Sequence, residues 1–144
     1  MGNVRRAKQS DIEYISKTLS NYFEEINSHF GYPRYKTDYS VMRKNVEERI
    51  LEGSKEFIYF VFEDDSGEVK GVVNILLTES LSEILLIKGE NIQVEGQLLD
   101  TVLEIFEREE KKVIYGDIYS WESIHTLLEN RGIEILQSRY KLTI

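Results

Sequence analysis

Hydrophobic positions along this chain follow two rhythms, one near 3.6 residues and one that alternates or runs unbroken, and the switches between them mark out the elements. Ile12, Ile15, Leu19, Tyr22 and Ile26 recur at helical spacing. They follow Ser10-Asp-Ile-Glu13, which has the form of a capping box. A short strand over residues 4–7 and then a long helix are expected. Asn27 to Asp38 is a loop that gathers Phe30, Tyr32, Pro33 and Tyr35. Tyr39, Met42, Val46 and Ile50 mark a second helix, which Gly53 would stop. Glu56 to Phe62 is apolar on both faces, the mark of a central strand. Asp64-Asp-Ser-Gly67 is turn chemistry, and Val69 to Thr78 returns as the second arm of a hairpin.

The stretch that follows is the most informative. An apolar run, Ile84 to Ile87, leads into a polar turn at Lys88 to Gln93. From Leu98 the apolar residues fall at 98, 99, 102, 103 and 106, so a helix is predicted to begin near Gly96. Strand, turn and helix in this order leave backbone N–H groups free at the helix N-terminus, where an anion can be held. Lys112 to Tyr119 then reads as a strand and Ser120 to Arg131 as a helix, capped by Ser120 and stopped by Gly132. Ile133 to Gln137 and Tyr140 to Ile144 close the chain as short strands. The order β-α-α-β-β-β-α-β-α-β-β predicts a mixed α/β sheet covered by helices.

Composition narrows the function classes. With 144 residues and no linker or repeat, one domain spanning 1–144 is expected. The net charge of -8 argues against a nucleic-acid surface, though not against a basic acceptor such as an amine. No apolar run approaches the roughly 20 residues of a membrane span, and the N-terminus lacks the apolar core of a secretory leader, so a cytoplasmic protein is expected. The absence of cysteine removes disulfides and thiol nucleophiles. His29 and His125 stand far apart, and no metal site is expected.

Taken together, the element order over residues 4 to 144 resembles the GNAT superfamily, the Gcn5-related N-acetyltransferases. Three stretches carry the likeness best: Val4-Arg-Arg-Ala-Lys-Gln-Ser-Asp-Ile12, the hairpin ending Gly67-Glu-Val-Lys-Gly-Val-Val73, and Leu127-Leu-Glu-Asn-Arg-Gly-Ile133. The resemblance implies a mostly antiparallel twisted sheet of about six to seven strands flanked by four helices. It also implies acetyl-CoA, or another acyl-CoA, as co-substrate, and a small-molecule or peptide amine as acceptor. The acyl group would pass by direct attack on the thioester. The donor's pantetheine arm would lie along the strand edge at Leu85, Leu86 and Ile87. Its pyrophosphate would meet a loop of the form Gln/Arg-x-x-Gly-x-Gly/Ala, here Asn91-Ile-Gln-Val-Glu-Gly96, with Gln97 following. Only the last glycine of that pattern is present: Asn91 stands at the first position and Val94 at the first glycine. Glu90 and Glu95 flank this anion site and Lys88 opposes them.

Acetyl transfer needs a base for the attacking amine and an acid for the leaving thiolate. The resemblance implies a carboxylate on or before the fourth strand as base, which makes Glu83 and Glu79 the candidates. If the strand alternates, Glu83 shares a face with Leu81, Leu85 and Ile87. The acid in such families is a tyrosine of the last helix. Aligned on Gly132, that position is Leu128, and the pattern's asparagine is Trp121. Tyr119 is the substitute at hand. Tyr32, Arg34 and Tyr35 fall in the segment that shapes the acceptor pocket in the family. Against the enzyme stands a second reading: a silent module of the same fold that acts through binding, for instance as a homodimer.

Overall fold

The structure is a computed structural model and describes residues 2–119, 121–134 and 142–143. Among the described residues, five strands form one sheet in the order β1 (Gly2–Arg6), β2 (Phe57–Asp64), β3 (Val69–Leu77), β4 (Ser82–Gly89) and β5 (Tyr115–Gly116). The first four pair antiparallel, and β4 pairs β5 in parallel. Helices α1 (Ile12–Phe30) and α2 (Tyr39–Leu51) cover one face. Helices α3 (Ile92–Arg108) and α4 (Ile124–Glu129) cover the other.

Alternation along the strands divides the core in two. Tyr59, Val61, Val72 and Leu86 meet Ile15, Leu19, Tyr22 and Ile26 of α1. Ile58, Phe62, Val73, Ile75 and Ile87 meet Leu98, Leu99, Val102 and Phe106 of α3. The expectation of a strand apolar on both faces is met by β2, which lies between β1 and β3.

Local chemistry explains the boundaries. The start of α1 is held by Asp11 rather than by Ser10, the cap the sequence suggested. Asp11 Oδ2 accepts the N–H of Lys8 at 2.8 Å and Arg5 Nη1 at 2.7 Å, and Arg5 Nε reaches Glu63 at 2.7 Å. One arginine so joins β1, the head of α1 and β2. Helix α1 runs to Phe30, further than the loop expected from Asn27 allowed, and Gly31 ends it at φ 73°. Asp38 caps α2 by accepting from the N–H of Ser40 at 2.9 Å, and Gly53, at φ 65°, stands just past its end.

Three elements depart from the sequence reading. Helix α3 begins at Ile92, because Asn91 caps it through a side-chain oxygen 3.0 Å from the N–H of Val94. Gly96 therefore sits in the second turn, not at the start. The strand expected over Lys112 to Tyr119 shrinks to the two residues of β5, and the last helix is regular only from Ile124 to Glu129. The two closing strands that would raise the count to six or seven fall largely on 135–141 and 144, outside the described residues, as does Ser120. Of those segments, Ile133, Glu134 and residues 142–143 are described, and none is in a strand.

Candidate functional site

Strand β4 is where the sheet opens. Its pairing with β5 consists of Glu83 opposite Tyr115 and Ile84 opposite Gly116. Beyond Ile84, β4 continues to Gly89 with no further β5 partner. At the same point the β3–β4 register shifts: Asn74 faces Leu86 while Ile75 faces Ile84, so Leu85 is an extra residue. Such a bulge kinks a strand and raises its twist. It also corrects the simple alternation expected for Glu83. Ile84 and Ile87 both pack on the α3 side, whereas Leu85 and Leu86 both line a cavity on the α1 side. Glu83 faces the α1 side, with Leu85 and not with Ile87.

The open edge has defined backbone groups. Glu90 N–H donates to Lys70 O at 2.8 Å, so alternation turns the groups of Gly89 and Ile87 away from β3, towards the parted side. There Gly89 N–H already has an acceptor, Glu95 Oε1, at 3.3 Å. The second oxygen of Glu95 accepts from Ser123 Oγ at 2.7 Å. Glu95 is only 2% exposed, so this carboxylate is locked between the end of β4, the first turn of α3 and the start of α4.

The helix N-terminus beside it is partly spent. Val94 N–H goes to Asn91 Oδ1 and Glu95 N–H to Asn91 O. Among the described residues, the N–H groups of Ile92 and Gln93 remain to face an anion. The Val94 side chain is turned inward. It rests on Gly71 and Gly89, register partners in β3 and β4, where an added Cβ would come within 2.6 Å and 2.9 Å of Val94 Cγ1. This bare patch of sheet lets α3 approach closely. Gly96 has no such role, since a Cβ there would meet only Leu127 at 3.7 Å. Gln97 is half-buried in the second turn. Nearby cations are engaged: Lys88 lies 3.7 Å from Glu25, and Lys70 bridges Glu68 and Glu90 at 3.3 Å and 3.5 Å.

On the other face, α1, α2 and the sheet enclose a cavity of about 480 Å³. Tyr22, Tyr35, Tyr59, Asn74, Leu86 and Tyr119 are among its walls. The loop after α1 closes one side and is firmly held. Asn27 clamps Tyr35 at two points, its Nδ2 donating to Tyr35 O at 2.8 Å and its Oδ1 accepting from Tyr35 N–H at 2.9 Å. The Tyr35 hydroxyl then stands 3.3 Å from that of Tyr119. Arg34 lies over the rings of Phe30 and Tyr35, at 5.0 Å and 5.2 Å, and donates to the Tyr119 hydroxyl at 3.4 Å. Of the three loop residues singled out from sequence, Tyr35 lines the cavity, Arg34 is turned onto its rim, and Tyr32 is 43% exposed beside Phe30.

The catalytic candidates separate. Tyr119 lines the cavity, stacks on Trp121 at 4.8 Å, and has its hydroxyl pushed well up by burial and by the Tyr35 hydroxyl. It stays protonated at neutral pH. Glu83 is half-buried on the cavity face, two residues from Leu85, outside the cavity lining. Glu79 is exposed in the β3–β4 turn, where its carbonyl accepts Lys111 Nζ at 2.8 Å. His125 pairs with Glu129 at 3.0 Å, and His29 stacks on Trp121 at 3.9 Å.

One titrating group escaped the sequence reading. Burial pushes the Glu122 carboxyl above its ordinary range, against the pull of the Tyr119 N–H at 2.8 Å and the Tyr22 hydroxyl. Burial also raises Tyr22 far beyond an ordinary tyrosine. No sequence spacing links Glu122 to Tyr22, one in α1 and the other ahead of α4. Among the described residues no cluster of three or more His, Asp or Glu could hold a metal ion, and no helix is long and apolar enough to cross a membrane.

No protein-family model matches the chain, and neither does any curated protein. Solved structures do. The chain is similar to the BH1408 protein of Bacillus halodurans, solved as a tetramutant, with a TM-score of 0.79 at 11% identity over 99% of both chains. It is similar to the ribosomal-protein-alanine N-acetyltransferase of Brucella melitensis biovar Abortus 2308, with a TM-score of 0.69 at 12% identity over 100% of this chain and 99% of that one. It is also similar to AAC(6')-Iy, solved with the bisubstrate analog CoA-S-monomethyl-acetylneamine, with a TM-score of 0.67 at 13% identity over 100% and 98%. The chain has the fold of the GNAT acetyltransferases.

Proposed function

We propose that residues 1–144 form a single N-acyltransferase domain, which moves the acyl group of acetyl-CoA or a related acyl-CoA to an amine. One observation carries this reading. The sheet parts at a bulge in β4, and the residues that form the bulge, Leu85 and Leu86, also wall a cavity large enough for a small acceptor. A thioester arm laid along Leu85 to Ile87 would bring its carbonyl to the mouth of that cavity. The Ile92 and Gln93 N–H groups suit a phosphate, at the N-terminal end of α3 that Asn91, Gln93, Val94, Gly96 and Gln97 form. The buried Glu95 and the exposed Glu90 make this end of the site a weaker anion holder than the edge is a thioester holder.

The chain's own residues divide the work as follows. Tyr35 and Tyr119 border the acceptor, with Arg34 and Tyr32 at the rim. Glu83 takes the amine's proton, directly or through water, and the exposed Glu79 is the weaker candidate. The neutral amine attacks the thioester carbon, the C–S bond breaks, the protonated Tyr119 hydroxyl gives its proton to the departing thiolate, and the second proton of the amine passes through solvent to restore Tyr119. An amine acceptor in a cytoplasmic setting, with neither nucleic acid nor membrane as partner, completes the reading.

The second reading, a silent module that binds or dimerises, draws on the Glu95 bridge. Gly89 N–H, a donor of the parted edge, is already satisfied from within the protein, and Ser123 fastens α4 across it. Thiol release decides between the two. Because the chain has no cysteine, any free thiol appearing with acetyl-CoA and a panel of amines comes from coenzyme A alone. Amine-dependent release supports the transferase. Release no faster than buffer across the panel supports the silent module.

A further inference from the structure

The 480 Å³ cavity has a sealed floor and a charged border. Tyr59, Asn74 and Leu86, register partners across β2, β3 and β4, are buried and form the floor. The charged side chains of the lining are Lys36, Asp38, Arg49 and Asp117, two of each sign. Asp38 is committed to the start of α2, where its Oδ1 accepts from Ser40 N–H, Ser40 Oγ and Val41 N–H. Lys36 and Asp117 are exposed, and among the described residues no hydrogen bond or ion pair engages either. A lining so balanced suits a ligand that carries both signs better than an amine or an acid alone.

Arg49 is the best-held of these charges. Its Nη1 donates to the Tyr59 hydroxyl at 3.1 Å, and its guanidinium lies 4.1 Å from the Phe57 ring centroid. Both partners are neutral, so the half-buried cation is fixed in place without being neutralised. Nε and Nη2 donate to nothing among the described residues, and neither is sealed from solvent. Those two nitrogens form one edge of the guanidinium, the fork that meets both oxygens of a carboxylate. Asp117 stands at the other end. Ile84 faces Gly116 in the parallel register, so Asp117 falls beside Leu85 where the strands part, and both line the cavity. After burial and the Tyr35 hydroxyl, the Asp117 charge adds to the upward push on the Tyr119 hydroxyl, so this carboxylate belongs to the Tyr119 end. Strand spacing measures the gap. Three steps of about 4.8 Å, from β2 to β5, put the two anchors roughly 14 Å apart, and a hydrogen bond of about 3 Å at each end leaves roughly 8 Å between the ligand's own charges.

We propose that the cavity takes a small ω-amino carboxylic acid as acceptor, its carboxylate on the Nε–Nη2 edge of Arg49 and its ammonium beside Asp117 at the parted edge. The apolar wall between, with Leu19, Ile26 and Leu86, covers the methylene chain. The inference rests on the acyltransferase reading for its purpose, since it sets the nitrogen where the thioester would lie. Its test does not, because ligand binding is measured without any acyl donor.

The probes are 6-aminohexanoate, hexylamine and hexanoate, which share a chain and differ in which charged ends they carry. Binding to the full chain is followed by titration calorimetry. The wild type binds 6-aminohexanoate at least roughly tenfold more tightly than either singly charged probe. Arg49→Met keeps a long side chain without the charge: 6-aminohexanoate falls to the level of hexylamine, and hexylamine itself is unchanged. Asp117→Asn does the converse, lowering 6-aminohexanoate to the level of hexanoate. Asp117 is exposed, so this variant folds and decides the matter if Arg49→Met does not. A merely structural role for Arg49 would weaken all three probes together. The proposal is overturned if 6-aminohexanoate fails to bind, if it binds no more tightly than hexylamine and hexanoate, or if Arg49→Met weakens hexylamine as much as it weakens 6-aminohexanoate. Binding as proposed, with no thiol released from acetyl-CoA in the presence of 6-aminohexanoate, would sink the transferase reading alone.

Discussion

Ser123 Oγ donates to Glu95 Oε2 across 2.7 Å, and through this contact the start of α4 is bound to the first turn of α3. The other oxygen of the same carboxylate accepts from Gly89 at the end of β4. Three elements, one of them distant in sequence, thus meet on one buried side chain. Glu95→Ala strands the Gly89 N–H, at roughly 1–3 kcal/mol for a buried polar group left unpaired, and also removes the bond from the exposed Ser123 hydroxyl, so it is expected to cost about 2–4 kcal/mol. Ser123→Ala, which strands only one oxygen, is expected to cost about 1 kcal/mol. Urea denaturation of both variants checks the order: a Glu95→Ala no less stable than Ser123→Ala would refute the bridge.

The Gly71–Gly89 patch predicts a suppressor. A Cβ at Gly71 would stand 2.6 Å from Val94 Cγ1 and 3.0 Å from Leu98 Cδ1, so Gly71→Ala overpacks the seat of α3 and should cost about 1–3 kcal/mol. Val94→Ala is destabilising by itself but vacates the contested space. The double variant should therefore be more stable than the sum of the two single losses, by at least about 0.5 kcal/mol. Simple additivity in a double-mutant cycle would contradict the packing described.

Acid should unfold the protein partly through Asp11. Burial raises its carboxyl, but Arg5 and the Lys8 N–H outweigh burial and hold it below the ordinary aspartate value. A carboxylate lowered in the folded state contributes stability that is complete above its unfolded pKa, about 3.9, and is lost as pH falls through the lower folded value. Melting temperature should fall below about pH 4 in the wild type. Asp11→Asn should start lower at pH 7, by about 1.5–3 kcal/mol for its hydrogen bonds to a charged partner, and show a shallower acid slope. Parallel slopes would rule Asp11 out.

Tyr119 carries the proposed acid, and it can be separated from binding. Tyr119→Phe keeps the ring that stacks on Trp121 and removes the hydroxyl. Turnover should fall about 10²-fold or more, while stabilisation by acetyl-CoA is unchanged. Loss of the stabilisation along with turnover would make Tyr119 a packing residue.

How much of this was legible follows from where each signal resides. The helical faces of α1 and α2 and the two-sided β2 are written in local spacing, and the structure has them. The start of α3 was misplaced because Lys88 to Gln93 is polar but for Gly89 and Ile92 and shows no helical period. Asn91 ahead of Ile92 and Val94 is a capping signal that outranks Gly96 there. The bulge at Leu85 could not be read, since an unbroken apolar run has no phase to lose; it exists only in the pairing with β3. Glu95 reads from the sequence as a charge flanking the anion site, and nothing within its own helix says that Gly89 and Ser123 bury it.

The parted edge of β4 is the centre of the account, and binding of an acyl donor there is its most direct test. At acetyl-CoA a hundred times its dissociation constant, the wild type should gain roughly 2.7 kcal/mol, a rise in melting temperature on the order of 5–10 °C. Titration calorimetry should give one site per chain. No heat and no shift at millimolar acetyl-CoA would contradict the account and leave the fold without a donor site.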